Sequence, residues 1–364
     1  MQVELLARIR EEARPLLAAR ADRRIVVWGA GELGSWLMDE LGPNGVAFVD
    51  KNPTKHDTLI SDRRVHSVEQ LDELEWDELW VAVLSDVESI RDELGSRGLV
   101  EGRHYRVPFP SGKRAHWESG LPRMLEFLGT GRLQGAEVLE VGFGGQLFLA
   151  LTALWIGARR VVVTDVAAQA QALTRHRAAW RDYLGWLERE HPRARGSHRS
   201  HDELLAAVEV HPRPVSAHEL PFAADRFDAV MNTGVMEHVD DPAQAVSEFA
   251  RVLRPGGRAL CAAIGIHDHR SNDERAPFTP WSFLTHSADE WRALGANAYH
   301  QNRWRAADFR RRFEQCGFRI THSASSVDPR LTEDEVRSFA PEFRARYSTA
   351  ELAELDLYLT AERG

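Results

Sequence analysis

Short apolar runs that stop at glycine recur along this chain. The first is Ile25-Val26-Val27-Trp28, followed by Gly29-Ala30-Gly31-Glu32-Leu33-Gly34. A run of β-branched residues closed by glycines reads as a buried strand, and the helical spacing after it as the helix that packs on that strand. The same rule predicts strands over residues 46–50, 64–67 and 79–84, a helix over 87–94 and a closing strand near Tyr105. Together these make a small α/β unit over residues 23–110. Pro108-Phe109-Pro110-Ser111-Gly112-Lys113 is rigid, then flexible, and marks a boundary. A helix over residues 117–128 follows, inside a linker and lid segment over 111–134.

A second series begins at Glu137-Val138-Leu139-Glu140-Val141-Gly142-Phe143-Gly144-Gly145-Gln146, a strand that enters a glycine turn and then a helical run to residue 154. Backbone approaches a charged ligand closely at such a turn. Val161-Val162-Val163-Thr164 ends in Asp165, an acid at the spacing and strand-tip position of a ribose-binding carboxylate. Helices are predicted over 167–187, 202–208, 242–253 and 306–316. A short strand precedes Pro212, and further strands fall at 227–231, 258–264, 321–324 and 355–360. The tract His191–Arg199 breaks the periodicity and reads as a solvated basic loop.

Composition narrows the class. With 43% hydrophobic and 28% charged residues the chain is a folded one, and 364 residues are ample for two domains. Residues 1–22 are amphipathic, with charges where a signal peptide needs its apolar segment, so they read as a helix, and a cytoplasmic protein without a membrane span is expected. A formal charge of −9 argues against nucleic acid as partner. The two cysteines, Cys261 and Cys316, share no metal-binding spacing and read as reduced thiols.

The order of motifs is more specific than any one of them. After the glycine strand and Asp165 come Glu219-Leu220-Pro221-Phe222, then Phe227-Asp228-Ala229-Val230-Met231-Asn232, Glu237-His238-Val239 and Leu253-Arg254-Pro255-Gly256-Gly257. This series resembles the class I S-adenosylmethionine-dependent methyltransferases, in particular small-molecule enzymes of glycan and secondary-metabolite clusters. The resemblance implies a seven-stranded Rossmann-like sheet over residues 135–364 with the final strand antiparallel. It also implies S-adenosylmethionine as cofactor and S-adenosylhomocysteine as product. Glu140, Gly142, Gly144 and Gly145 would hold the methionine part, Asp165 the ribose, and Asn232 the amino-acid end. The family's third glycine is Gln146 here, and Ser216-Ala217-His218-Glu219 stands where an adenine-reading acid or amide is common. Residues 23–110 look like the nucleotide-binding-like modules found beside sugar-modifying enzymes.

The segment 265–305 sits where this fold inserts its acceptor-binding lid, and its groups suit a sugar-like hydroxyl acceptor. Trp281, Trp291, Tyr299, Asn302 and Arg303 are the candidate substrate contacts, with an aromatic mini-core as the competing reading. An in-line methyl transfer to a hydroxyl needs a proton acceptor, and His267, His269 and His238 are the candidates. Asp268 would orient an imidazole or pair with Arg270. No metal is expected, since adjacent side chains rarely converge on one ion. A homo-oligomer is left open. Two rivals stand beside this reading: a nicotinamide or nucleotide-sugar enzyme using Gly29, Gly31, Gly34 and Asp50, and a binding protein that has lost turnover.

Overall fold

A computed structural model of the protein describes residues 17, 22–83, 87–107, 112–129, 133–166, 173, 177–272, 277–295 and 301–364. Of the expected N-terminal helix, all but Leu17 and Asp22 lie outside these. The chain divides into two compact units, Met1–Leu121 with Asn272–Pro277, and Pro122–Ser271 with Phe278–Gly364. The division falls inside the helix Gly112–Leu128, at its interior Pro122, later than the expected boundary.

In the first unit, β1 (Ile25–Trp28), β2 (Gly45–Val49), β4 (Arg63–His66), β5 (Glu78–Val81) and β6 (Tyr105–Arg106) are parallel, and β3 (Leu59–Ile60) adds an antiparallel edge, in the order β3-β4-β2-β1-β5-β6. The β3–β4 hairpin departs from the single strand expected over 64–67. Its turn is Ser61-Asp62, both with φ above zero (47° and 58°), as a type I′ hairpin turn requires and as glycine or asparagine more often supplies. The glycines after β1 meet packing needs. A Cβ on Gly34 would lie 1.8 Å from the Gly29 carbonyl oxygen, so the helix Glu32–Leu41 approaches the strand only because residue 34 has none. Asp50 accepts from the N–H groups of Ala30 (2.7 Å) and Asn52 (2.8 Å) and faces the Lys55 ammonium at 3.4 Å. The carboxylate therefore already braces its own loop.

The second unit holds the expected seven strands: β7 (Glu137–Val141), β8 (Arg160–Thr164), β9 (Val208–Val210), β10 (Phe227–Thr233), β11 (Leu253–Gly265), β12 (Phe318–Ala324) and β13 (Asp356–Arg363), in the order β12-β13-β11-β10-β7-β8-β9. β13 runs antiparallel between β11 and β12, and the other pairings are parallel. Strand order reverses between β7 and β10, which opens a crevice beyond their carboxyl ends. Helices Pro242–Val252 and Ala306–Gln315 bury Val246, Phe249, Phe309 and Phe313 against Leu139, Val141 and Val230 on one face of the sheet. On the edge side, Phe127 meets the rings of Tyr358 and His322 edge-on, so this end of the expected lid helix covers β12 and β13.

The basic tract after the helix Arg177–Glu190 is not simply solvated. Arg195 lies over the Trp155 ring at 4.8 Å and donates to the carbonyls of Ser197 and Arg199, while Arg199 donates to those of Ala158 and Arg159. Two of its cations thus satisfy carbonyls that the loop would otherwise leave bare. Among the described residues no helix is long and apolar enough to cross a membrane.

Candidate active site

At the end of β7 the chain turns through Gly142 (φ 74°), Gly144 (φ 59°) and Gly145 (φ 72°), all left-handed. Gln146 does not need positive φ, which is why a third spaced glycine is dispensable here. The N–H groups of Gly142 and Phe143 donate to the Thr164 carbonyl at 2.8 and 3.2 Å, and that of Gly144 donates to Asp165 Oδ2 at 2.7 Å. The turn and the acid at the tip of β8 are therefore one assembly. A Cβ on Gly142 would sit 2.5 Å from Val235 Cγ2 in the loop after β10. Gly142→Ala is expected to lower the unfolding free energy by about 2–3 kcal/mol, the sum of left-handed strain and overpacking. Urea denaturation of the single and the Gly142→Ala/Val235→Ala variants separates the two parts, because the second change relieves the contact and leaves the strain.

Glu140 is 2% exposed, and its Oε2 has no hydrogen-bond partner. Burial pushes its carboxyl up to about 8, against the Ala150 N–H in the first turn of the helix Phe148–Trp155, which favours the ion, and with the Asp165 charge adding to the rise. A buried acid with one unpartnered oxygen, beside a glycine cradle and a second carboxylate, suits a ligand that carries both positive charge and ribose hydroxyls. The segment that follows β9 is tied to the same place, since the Val215 N–H donates to the Asp165 carbonyl at 2.7 Å. Just after it, Ser216 and His218 bond each other at 3.1 Å.

Asn232 stands apart from Glu140. Met231 is the register partner of Glu140, so Asn232 projects to the opposite face of the sheet, where it is 1% exposed and its Nδ2 lies 3.3 Å from Cys261 Sγ. Burial pushes the Cys261 thiol up to about 12 and leaves it unreactive. Asn232 Oδ1 has no partner.

Beyond β10 and β11 the structure gathers the three histidines with Glu237. The His238 and His269 ring centres are 5.1 Å apart, and those of His267 and His269 4.9 Å. Glu237 is 3% exposed, with Oε1 accepting from the Gly265 N–H at 3.0 Å; burial holds its carboxyl above the usual range. Burial lowers His269 to about 4, helped by the neighbouring His267 and His238, so this ring is neutral at pH 7. His267 Nδ1 lies 3.0 Å from the Leu355 carbonyl oxygen. Asp268 is paired with Arg270 at 2.7 Å, one of the two roles expected of it. Near its carboxyl end β11 carries a bulge between Cys261 and Ile264, with Ala263 at φ 49°, of the kind that re-aims a strand end beside a site.

The expected acceptor contacts divide. Tyr299 lies outside the described residues. Trp281 is 3% exposed, donates to the Leu352 carbonyl, and packs with Phe283, Phe339 and Phe343 in a separate small core. Arg303 donates to the carbonyls of Phe283 and His286. Trp291 packs on Phe283, donates to the Gln301 carbonyl, and has Arg270 over its ring at 5.1 Å. The mini-core reading therefore describes Trp281 and Arg303 in full and Trp291 in large part. Asn302 acts on the site indirectly: its Nδ2 bonds the carbonyls of Met236 (2.7 Å) and Val239 (3.0 Å), clamping the loop that carries Glu237 and His238. Glu237 and Gln301 join the site beyond the residues that the motifs single out. The Glu-His pair after the fourth strand pointed to the first, whereas nothing local marks Gln301.

A reversed-order parallel sheet with a glycine turn, a strand-tip acid and a crevice between them defines a class I S-adenosylmethionine-dependent methyltransferase fold. Residues 113–323 match the family described as "Methyltransferase domain", and the chain belongs to that family, with S-adenosylmethionine as its cofactor. Among curated proteins it is 33% identical over 135 residues to a ubiquinone biosynthesis O-methyltransferase of Alkalilimnicola ehrlichii, covering 37% of this chain and 44% of that one. It is 47% identical over 62 residues to a 37.1 kDa protein of transposon TN4556 from Streptomyces fradiae, 17% of each chain. The chain thus spans less than half the length of these relatives. A solved S-adenosylmethionine-dependent methyltransferase from Mesorhizobium loti superposes with TM-score 0.41 at 19% identity, covering 67% of this chain and 98% of that one.

Proposed function

We propose that the protein transfers a methyl group from S-adenosylmethionine to a hydroxyl of a small molecule, sugar-like or another secondary metabolite, with His267 accepting the hydroxyl proton. When bound, the cofactor supplies an electrophilic methyl on a sulfonium, displaced in line by the acceptor. Glu140 and the turn at Gly142, Gly144 and Gly145 hold its methionine part, and Asp165 its ribose.

The observation that carries the base assignment is the His267 Nδ1 contact. A carbonyl oxygen only accepts, so the Nδ1 that faces Leu355 carries the proton, and Nε2 is the basic nitrogen of the neutral ring. Oxygen as the methylated atom is supported by the O-methyltransferase named among the relatives. Because Trp281 and Arg303 are committed to packing, the acceptor is held chiefly by groups near the histidine cluster. The net charge of −9 argues against a polyanionic acceptor, and the two free thiols suit a cytosolic protein.

The test is turnover. The purified protein is incubated with S-adenosylmethionine and a panel of glycosides, catechols and amines, and products are read by mass spectrometry. Methyl ethers are expected, and methylation confined to amines or carbon acids contradicts the reading.

A further inference from the structure

We propose that Glu237, His238 and His269 form a binding site for a divalent first-row transition ion of the zinc type. One ligand atom from each lies within 4.8 Å of the other two. Three further observations make this more than proximity.

First, Glu237 Oε2 is buried without a hydrogen-bond partner. A carboxylate oxygen left so is costly unless a cation or donor meets it. Second, His269 and Glu237 close on the same backbone point because residue 265 is glycine: a Cβ there would lie 2.6 Å from His269 Nε2 and 3.2 Å from Glu237 Oε1. Third, the backbone on both sides of the set is fixed by two consecutive residues. Asn302 clamps Met236 and Val239, and its own N–H donates to the Glu237 carbonyl at 2.8 Å. Gln301 donates to the carbonyls of Gly265 (2.9 Å) and His267 (2.6 Å) and accepts from the His269 N–H at 3.2 Å.

Two imidazoles and one carboxylate select zinc, cobalt or manganese over magnesium and calcium, which favour oxygen ligands throughout. Metal–ligand lengths of about 2.0–2.2 Å require the set to draw in by about an ångström. Three protein ligands leave a coordination position open, as catalytic rather than structural sites do. That an acceptor hydroxyl occupies this position, acidified by the ion, rests on the methyl-transfer reading; the binding itself does not.

The test uses the full chain without a polyhistidine tag, stripped with a chelator. It is titrated calorimetrically with zinc and followed by visible absorption with cobalt, for the wild type, Glu237→Gln, His238→Ala and, as a surface-histidine control, His211→Ala. A single saturable site is expected, weakened at least about 10-fold in the first two variants and unchanged in the control. No saturable zinc or cobalt binding by the wild type, equal binding by magnesium, or undiminished affinity in Glu237→Gln and His238→Ala overturns the proposal. S-adenosylmethionine binding, measured on the same samples, separates this outcome from failure of the methyltransferase reading.

Discussion

Replacing His267 with glutamine is expected to lower kcat for the methylated hydroxyl by about 10²–10⁴, the usual range for loss of a general base, while the affinity for S-adenosylmethionine stays unchanged. The glutamine amide can still donate to the Leu355 carbonyl, so the variant removes the basic nitrogen while keeping a donor for that anchor. The split between an affected kcat and an unaffected cofactor affinity distinguishes a base from a residue that merely supports the fold. His269 gives the contrast. Its buried ring is a weak proton acceptor, so a base at that position would have little driving force at neutral pH. If His267→Gln turns over at the wild-type rate, the base lies elsewhere.

The second large effect concerns Glu140. In the folded protein its carboxyl is raised from the ordinary 4.5 to about 8, so the native state holds a proton that the unfolded chain releases. The resulting stability is fully present below pH 4.5 and is lost as pH rises through 8, at most about 1.4 kcal/mol per pH unit. Glu140→Gln cannot titrate. Chemical denaturation of the cofactor-free protein at pH 5 and pH 8 should show the wild type losing more stability than the variant across that interval. Cofactor binding runs the other way. A cation placed beside Glu140 favours its ionised form, so binding releases a proton and the wild-type affinity rises with pH toward 8. In Glu140→Gln that rise disappears. Parallel pH dependence in the two proteins would show that Glu140 ionises without reference to the cofactor.

Much of this architecture is legible in the sequence for a physical reason. Buried parallel strands are near-continuous apolar runs; Ile25–Trp28 and the valines of Arg160–Thr164 are of that kind, and Glu137–Val141 departs from it only at its two glutamates. Gly142 and Gly144 announce a left-handed turn because few other residues adopt one. What escapes is what depends on register or on distant partners. Asn232 looks like a neighbour of Glu140 until the pairing of Met231 with Glu140 sends it to the other face. Trp281 and Arg303 are as suitable for a ligand platform as for a core, and only the carbonyls of Leu352, Phe283 and His286 decide between them. Gln301 has no local signature, because its three side-chain bonds reach residues at least 32 positions away. Ser61-Asp62 hid a hairpin, since side chains other than glycine seldom take both left-handed positions.

The most direct test of the central claim is calorimetric titration with S-adenosylmethionine and S-adenosylhomocysteine, on the wild type and on Asp165→Ala. The wild type should bind both, and the variant, which loses the acid that joins the tip of β8 to the glycine turn, should bind neither measurably. Absence of binding by the wild type, or equal binding by Asp165→Ala, would contradict a cofactor site at Gly142 and Asp165.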